Sequence, residues 1–116
     1  MAEAAPEMLA GMFEPGADPE ALPRAIAATA AVPAEVYRET LRCLTTFDRR
    51  AELSKIAVPT LLIAGERDQA APLKTMQRMA ETIPGSRLVV IPGAGHMVHL
   101  ERPAEFRAAL LPFLAD

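Results

Sequence analysis

The sequence predicts an α/β fold in which a helical segment precedes two parallel strands with flanking helices. Two short apolar runs support this prediction, TLLIA over residues 60–64 and LVVI over residues 88–91. Each run has the length of a strand that is covered on both faces, and the residues between them suffice for a crossover helix. A strand, a helix and a second strand in one sheet are expected to be parallel neighbours.

The first part of the chain is predicted to form short helices. Ala and Pro are frequent there, and Val36 and Leu44 lie on one face of a helix that begins at Pro33. Proline is tolerated in the first turn of a helix, because its missing N–H would have no partner there. We therefore expect a helical cap segment over residues 1–50 and the βαβα part of the core over residues 51–116.

Two further helices are predicted, one after each strand. The first is opened by Pro72 and closed by Pro84 and Gly85. The second begins at Pro103 and carries apolar residues on one face. Pro112 is expected to kink this last helix or to end it early, because proline removes a backbone donor.

Composition and charge exclude several classes of function. The 116 residues are 51% apolar and 23% charged, as in ordinary globular proteins. A formal net charge of -3 gives no reason to expect a nucleic acid or an anionic membrane as a partner. No apolar run approaches the ~20 residues that span a bilayer, and the acidic amino terminus lacks the features of a secretory signal. A single cysteine, Cys43, excludes an internal disulfide and fits the reducing cytoplasm, where we expect the protein.

Two residues with catalytic potential follow the predicted strands in corresponding positions. Asp68 comes four residues after the first strand, and His96 comes five residues after the second. Because parallel neighbouring strands end at the same edge of a sheet, both loops are expected to lie together. Gly93 and Gly95 give the backbone before His96 the freedom to turn. The order therefore predicts a carboxylate beside an imidazole, as in sites where an aspartate orients a histidine general base.

Simpler structural roles are open for the same residues. Asp68 also suits the cap of the helix that follows it, and His96 suits a loop histidine that is bonded to backbone. Glu101 and Arg102 are expected to mark a solvated entrance to the last helix, and Glu66 is expected to be a surface charge. The glycines before His96 do not complete a dinucleotide-binding motif.

The two strand-and-loop segments resemble the closing motifs of the α/β-hydrolase family. They read PTLLIAGERD over residues 59–68 and RLVVIPGAGHMVHLERP over residues 87–103. In that family the residue matching Asp68 is the triad acid, and the residue matching His96 is the general base. The sequences of these segments are most similar to those of the branch of enol-lactonases and carboxylesterases. Related lids and loops also serve other hydrolases and cofactor-free oxygen chemistry. The resemblance implies a helical lid over residues 1–50. The hydrolysis that it implies requires no metal and no organic cofactor.

The nucleophile of that family is missing from the sequence. The family places it before the acid and the histidine, on a G-x-S-x-G elbow, and no segment here matches that motif. Ser54 and Ser86 are expected at positions remote from His96, and Cys43 is expected to be a small buried residue. We therefore expect a hydrolase of ester or lactone type whose nucleophile comes from a preceding amino-terminal half. The chain alone is expected to be inactive.

A second hypothesis is a non-catalytic module, a truncated or diverged hydrolase piece that acts as an oligomer or a binding partner. A two-stranded parallel sheet with unpaired edges is marginal, because three or more strands or a helical cover are usually needed. Self-association of the chain is therefore expected on physical grounds. In the first hypothesis the partners are a small ester or lactone substrate and the nucleophile-bearing half.

Overall fold

The chain contains a helical first part followed by a strand-helix-strand unit and two closing helices. A computed structural model describes residues 3–115. The first two residues and Asp116, at the ends of the predicted segments 1–50 and 51–116, lie outside the described residues. No helix within the described range is long and apolar enough to cross a membrane.

The first part consists of helices joined by turns and bends. Its elements are α1 (Ala5–Ala10), α2 (Ala21–Ala30), α3 (Ala34–Thr46) and a 3-10 helix (Arg50–Lys55). α1 and α2 pack on each other through small side chains together with one leucine, and the buried residues are Ala5, Leu9, Ala21 and Ala25. Alanine at these positions allows the two helices to approach closely.

Helix α3 confirms the helix that was predicted after Pro33, but its apolar residues are exposed. Pro33 is the residue before the first turn, and Leu44 is 66% exposed. Phe47, directly after the helix, is 68% exposed. The expectation that Cys43 is buried is wrong, because its side chain lies on a face of α3 that is exposed to solvent.

The sheet confirms the predicted pair of parallel strands. β1 (Leu61–Gly65) pairs with β2 (Arg87–Ile91), and α4 (Leu73–Thr82) connects them and packs on both. Gly65 lies opposite Ile91, so both strands end at the same edge. The core beneath this edge is formed by buried Ile91, Ala94 and Val98, with Ile63, Val89 and Phe106 packed against them.

Two helices close the chain. α5 (Val98–Glu101) is a single turn that was not predicted, and α6 (Pro103–Ala115) follows it directly and packs on both strands. The last helix runs through Pro112 to Ala115, so the predicted early end is wrong. Pro112 has no N–H to donate to the carbonyl of Ala108 one turn earlier. The kink that was expected as the alternative to an early end stays a prediction.

Candidate active site

Asp68 and His96 form a direct pair at the edge where both strands end. Nδ1 of His96 lies 3.1 Å from Oδ1 and 3.0 Å from Oδ2 of Asp68. A carboxylate can only accept hydrogen bonds, so Nδ1 carries the hydrogen and donates the hydrogen bond to Asp68. The juxtaposition expected from the strand order is therefore present.

The carboxylate of Asp68 is buried and held by backbone donors. The residue is 8% exposed, and Oδ1 accepts the N–H groups of Ala70 at 2.8 Å and Ala71 at 2.9 Å. Burial acts to raise the pKa of Asp68, but the hydrogen bonds from Ala71, His96 and Ala70 together outweigh it and lower the pKa below its ordinary value. Asp68 is thus ionised at neutral pH. These bonds close the turn after Asp68. They do not cap α4, because the residue before that helix is Pro72.

The imidazole of His96 is partly accessible to solvent. Its side chain is 37% exposed, and its backbone N–H donates to the carbonyl of Met12 at 3.1 Å. Within residues 3–115, hydrogen bonds to the ring involve Nδ1 alone. With its proton on Nδ1, the neutral ring presents Nε2 as an acceptor, which is the form a general base needs.

The loop after β1 and the loop after β2 are joined by hydrogen bonds. The N–H of Arg67 donates to the carbonyl of Ala94 at 2.9 Å, and the N–H of Gly93 donates to Oε2 of Glu66 at 2.8 Å. Gly65 allows this approach, because a Cβ at that position would lie 2.1 Å from the carbonyl oxygen of Gly95. Glu66 is exposed as expected, but it also bonds to the histidine loop.

Glu101 corrects the prediction of a solvated helix entrance. It is 2% exposed, and its carboxylate accepts the N–H groups of Gly95 at 3.0 Å, Met97 at 3.1 Å and Glu14 at 3.1 Å. A glutamate three residues after the start of a helix can reach back to the preceding N–H, but Glu101 comes four residues after Met97 and does not match that spacing. The contact with Glu14 is 87 residues distant in the chain and left no local signal.

Arg102 is also less solvated than expected. Its guanidinium donates to the carbonyl of Gly16 at 2.8 Å and to that of Gly93 at 3.5 Å. It thereby links the turn before α2 to the histidine loop. Together with Glu101, it joins the first part of the chain to the loop that carries His96.

Neither serine of the sequence lies at this edge. Ser86 precedes β2 at the opposite end from His96, and its hydroxyl donates to the carbonyl of Ala80 at 2.9 Å. Ser54 lies in the 3-10 helix before β1. Among the described residues, no group of three or more histidine, cysteine or acidic side chains is arranged to hold a metal ion.

Comparisons with known proteins bear on the family. The alpha/beta hydrolase family matches residues 2–109 of the chain. The RutD protein of Pseudomonas savastanoi pv. phaseolicola, assigned as a carbamate hydrolase, is 40% identical over 74 residues, which cover 64% of this chain and 29% of that protein.

Two solved structures match nearly the whole chain. The enol-lactonase from Burkholderia xenovorans superposes with a TM-score of 0.89 at 26% identity, covering 99% of this chain and 45% of that enzyme. A hydrolase from Pseudomonas aeruginosa superposes with a TM-score of 0.88 at 32% identity, covering 100% of this chain and 44% of that protein.

These matches agree with the resemblance seen in the sequence and with the parallel strands and flanking helices described above. The chain spans less than half the length of each of these proteins. The family match extends from the first helix into the last one. The chain belongs to the alpha/beta hydrolase family.

Proposed function

We propose that this chain supplies the acid and the histidine of a catalytic triad to a hydrolase that acts on esters or lactones. The carrying observation is that Nδ1 of His96 contacts both oxygens of a buried Asp68 while the ring stays accessible. The nucleophile would be a serine from a segment outside this chain, since no G-x-S-x-G motif occurs in it.

In the proposed reaction, His96 takes the proton of the serine hydroxyl as the serine attacks the carbonyl carbon of the substrate. Asp68 fixes the Nδ1–H tautomer and stabilises the imidazolium that forms. His96 then returns the proton to the leaving alcohol. A water molecule, activated in the same way, releases the acid from the acyl-enzyme. The exposure of the ring supports this role, because the proton must pass between His96 and groups outside the chain.

The ester or lactone class is proposed from the relatives. One solved neighbour is an enol-lactonase, and a pimeloyl-[acyl-carrier protein] methyl ester esterase of Nitrosomonas europaea is 39% identical over 66 residues, covering 57% of this chain and 26% of that enzyme. Both names describe acyl transfer to water. The single cysteine supports the cytoplasm as the proposed location.

A completed enzyme tests the proposal. The chain would be fused behind the part of the Burkholderia xenovorans enol-lactonase that precedes the matched region, and folding would be verified by circular dichroism and sedimentation. Hydrolysis of a chromogenic ester is then measured for the fusion and for its Asp68→Asn variant. Turnover should fall roughly 10⁴-fold in the variant, because the amide cannot hold the correct tautomer or stabilise the imidazolium.

Asp48→Asn is the matched control. Asp48 is exposed and hydrogen-bonds only to Arg50 among the described residues, so the same chemical change there should leave turnover unaltered. An Asp68→Asn enzyme that turns over within a few-fold of its parent would remove Asp68 from the mechanism. The unfused chain should show no hydrolysis that depends on His96.

A non-catalytic, self-associating module remains a second candidate because of one feature of the sheet. Within residues 3–115, β1 and β2 pair only with each other, so each strand has one unpaired edge. Exposed Val58, Leu111 and Leu114 add apolar surface. Two results together would favour this candidate. The chain would form a stable assembly, and the turnover of the completed enzyme would not change in Asp68→Asn and His96→Ala.

A further inference from the structure

Resting on the proposed function, we propose that Glu101 is a positioning residue that holds His96 in register with Asp68. The carboxylate of Glu101 lies beneath the histidine loop and is almost completely buried. Its described hydrogen bonds go to neither Asp68 nor the imidazole, so its effect would reach the pair through the backbone. The three N–H groups that it accepts define how it acts.

Two of these N–H groups belong to the residues on either side of His96. Oε2 of Glu101 accepts from Gly95, and Oε1 accepts from Met97. The N–H of Met97 belongs to the peptide group after His96, and the N–H of Gly95 belongs to the peptide group between Ala94 and Gly95. One carboxylate thereby holds the backbone on both sides of the histidine, which sets the direction in which the imidazole leaves the loop. Gly95 fits this arrangement, because a Cβ there would lie 3.0 Å from Oε1 of Glu101.

The third N–H group ties in a distant segment that also holds His96. Oε2 of Glu101 accepts from Glu14, and two residues earlier the carbonyl of Met12 accepts the backbone N–H of His96. The histidine backbone is therefore clamped between the segment after α1 and the carboxylate beneath the loop. Among the described residues, Glu101 has no ion-pair partner. The three backbone N–H groups that donate to the carboxylate balance its charge, because hydrogen bonds to an ionised acceptor are strong.

The carboxylate of Asp68 is held by backbone donors that do not contact Glu101. These donors are the N–H groups of Ala70 and Ala71 in the turn after Asp68. Loss of the Glu101 contacts would thus let the histidine move against an acid that stays in place. Contact between His96 and Asp68 should then weaken while the fold around Asp68 persists.

The test compares the full chain with its Glu101→Gln variant by nuclear magnetic resonance. Glutamine keeps the size of the side chain but replaces one acceptor oxygen with a donor, so at least one of the three N–H groups loses its acceptor. The downfield resonance of the Nδ1–H proton of His96 should be lost or displaced. Gly95 and Met97 bond to different oxygens of Glu101, so amide exchange should accelerate about 10- to 100-fold at whichever of the two loses its acceptor.

Glu105→Gln provides the matched control, because Glu105 is exposed in the first turn of α6. It should leave the His96 resonance and both amides unchanged. A Glu101→Gln chain that unfolds more easily but keeps the wild-type His96 resonance would overturn the proposal, since a merely structural role lowers stability without moving that signal.

The wild-type chain offers a second measurement should the variant fail to fold or the Nδ1–H resonance be absent. The amides of Glu14, Gly95 and Met97 must then all be protected, because one buried carboxylate accepts all three. Exchange of any of them at the rate of an open loop overturns the proposal, and joint protection supports it. Neither readout involves turnover, so the activity of the Asp68→Asn enzyme judges the proposed function separately.

Discussion

A methyl group at position 65 would collide with the backbone of the loop that carries His96. In Gly65→Ala the new Cβ would lie 2.1 Å from the carbonyl oxygen of Gly95 and 2.6 Å from that of Ala94. Ordinary contact begins near 3.4 Å, so the loop must retreat by about 1.3 Å from the end of β1. The three nearest atoms all belong to the backbone of Ala94 and Gly95, so rotation of a side chain cannot relieve the collision.

The cost follows from what this retreat breaks. Overfilling a packed site costs about 1–3 kcal/mol, and the bond from the N–H of Arg67 to the carbonyl of Ala94, now 2.9 Å, would be lost at about 1 kcal/mol more. We expect Gly65→Ala to lower the free energy of unfolding by roughly 2–4 kcal/mol. The loop movement should also separate His96 from Asp68, so the downfield Nδ1–H resonance should weaken in the folded fraction.

Urea unfolding at matched protein concentrations measures the effect, and two other glycines serve as controls. Gly11 has a φ of -79° and no neighbouring atom within 4 Å, so Gly11→Ala should change stability by no more than about 0.5 kcal/mol. Gly85 has equal space but a φ of +68°, so Gly85→Ala should cost about 1 kcal/mol from backbone conformation alone. A Gly65→Ala chain as stable as the Gly85→Ala chain would refute the argument from close approach.

Three further predictions concern charge and association. The pKa of Asp68 is lowered in the folded chain, so its contribution to stability is fully present above its ordinary pKa and is lost as the pH falls through the folded value. The difference in unfolding free energy between wild type and Asp68→Asn should therefore be larger near neutral pH than at about pH 3, and an equal difference would contradict the assigned contacts. Glu101→Gln should cost about 2–3 kcal/mol in urea unfolding, whereas Glu66→Gln, with one contact from an exposed side chain, should cost less than about 1 kcal/mol. Sedimentation of the isolated chain should reveal concentration-dependent assembly, and a stable monomer across the accessible range would argue against unpaired strand edges as a driving force.

Much of the fold was predictable because it depends on local sequence patterns, namely apolar runs and the positions of prolines. The two apolar runs became β1 and β2 within one residue of the predicted bounds, and Pro72 precedes α4 as expected. The contact between Asp68 and His96 followed from one topological rule, since neighbouring parallel strands must deliver their following loops to a common edge. The catalytic roles of the two residues remain a proposal.

The failed expectations concern residues whose surroundings come from far along the chain. Glu101 was expected in solvent because acidic residues commonly lie at exposed helix starts, but Glu14 and the histidine loop enclose it. Cys43 was expected to be buried on an amphipathic helix, yet α3 packs against no described element extensively enough to cover it. Periodicity identifies an apolar face without stating whether anything lies against it.

The sequence by itself determined the order of strands and helices, the parallel pairing and the side of the sheet on which the acid and the imidazole emerge. These features depend on the spacing of residues within short segments and on the right-handed connection between parallel strands. Both can be read from the sequence of each segment. Only the tertiary structure decided that Glu101 lies beneath the histidine loop, that Gly65 must lack a side chain and that α3 is uncovered. Burial and close approach are set by which distant segments meet, and no short window of the sequence contains Glu101 together with Glu14 or Gly65 together with Gly95.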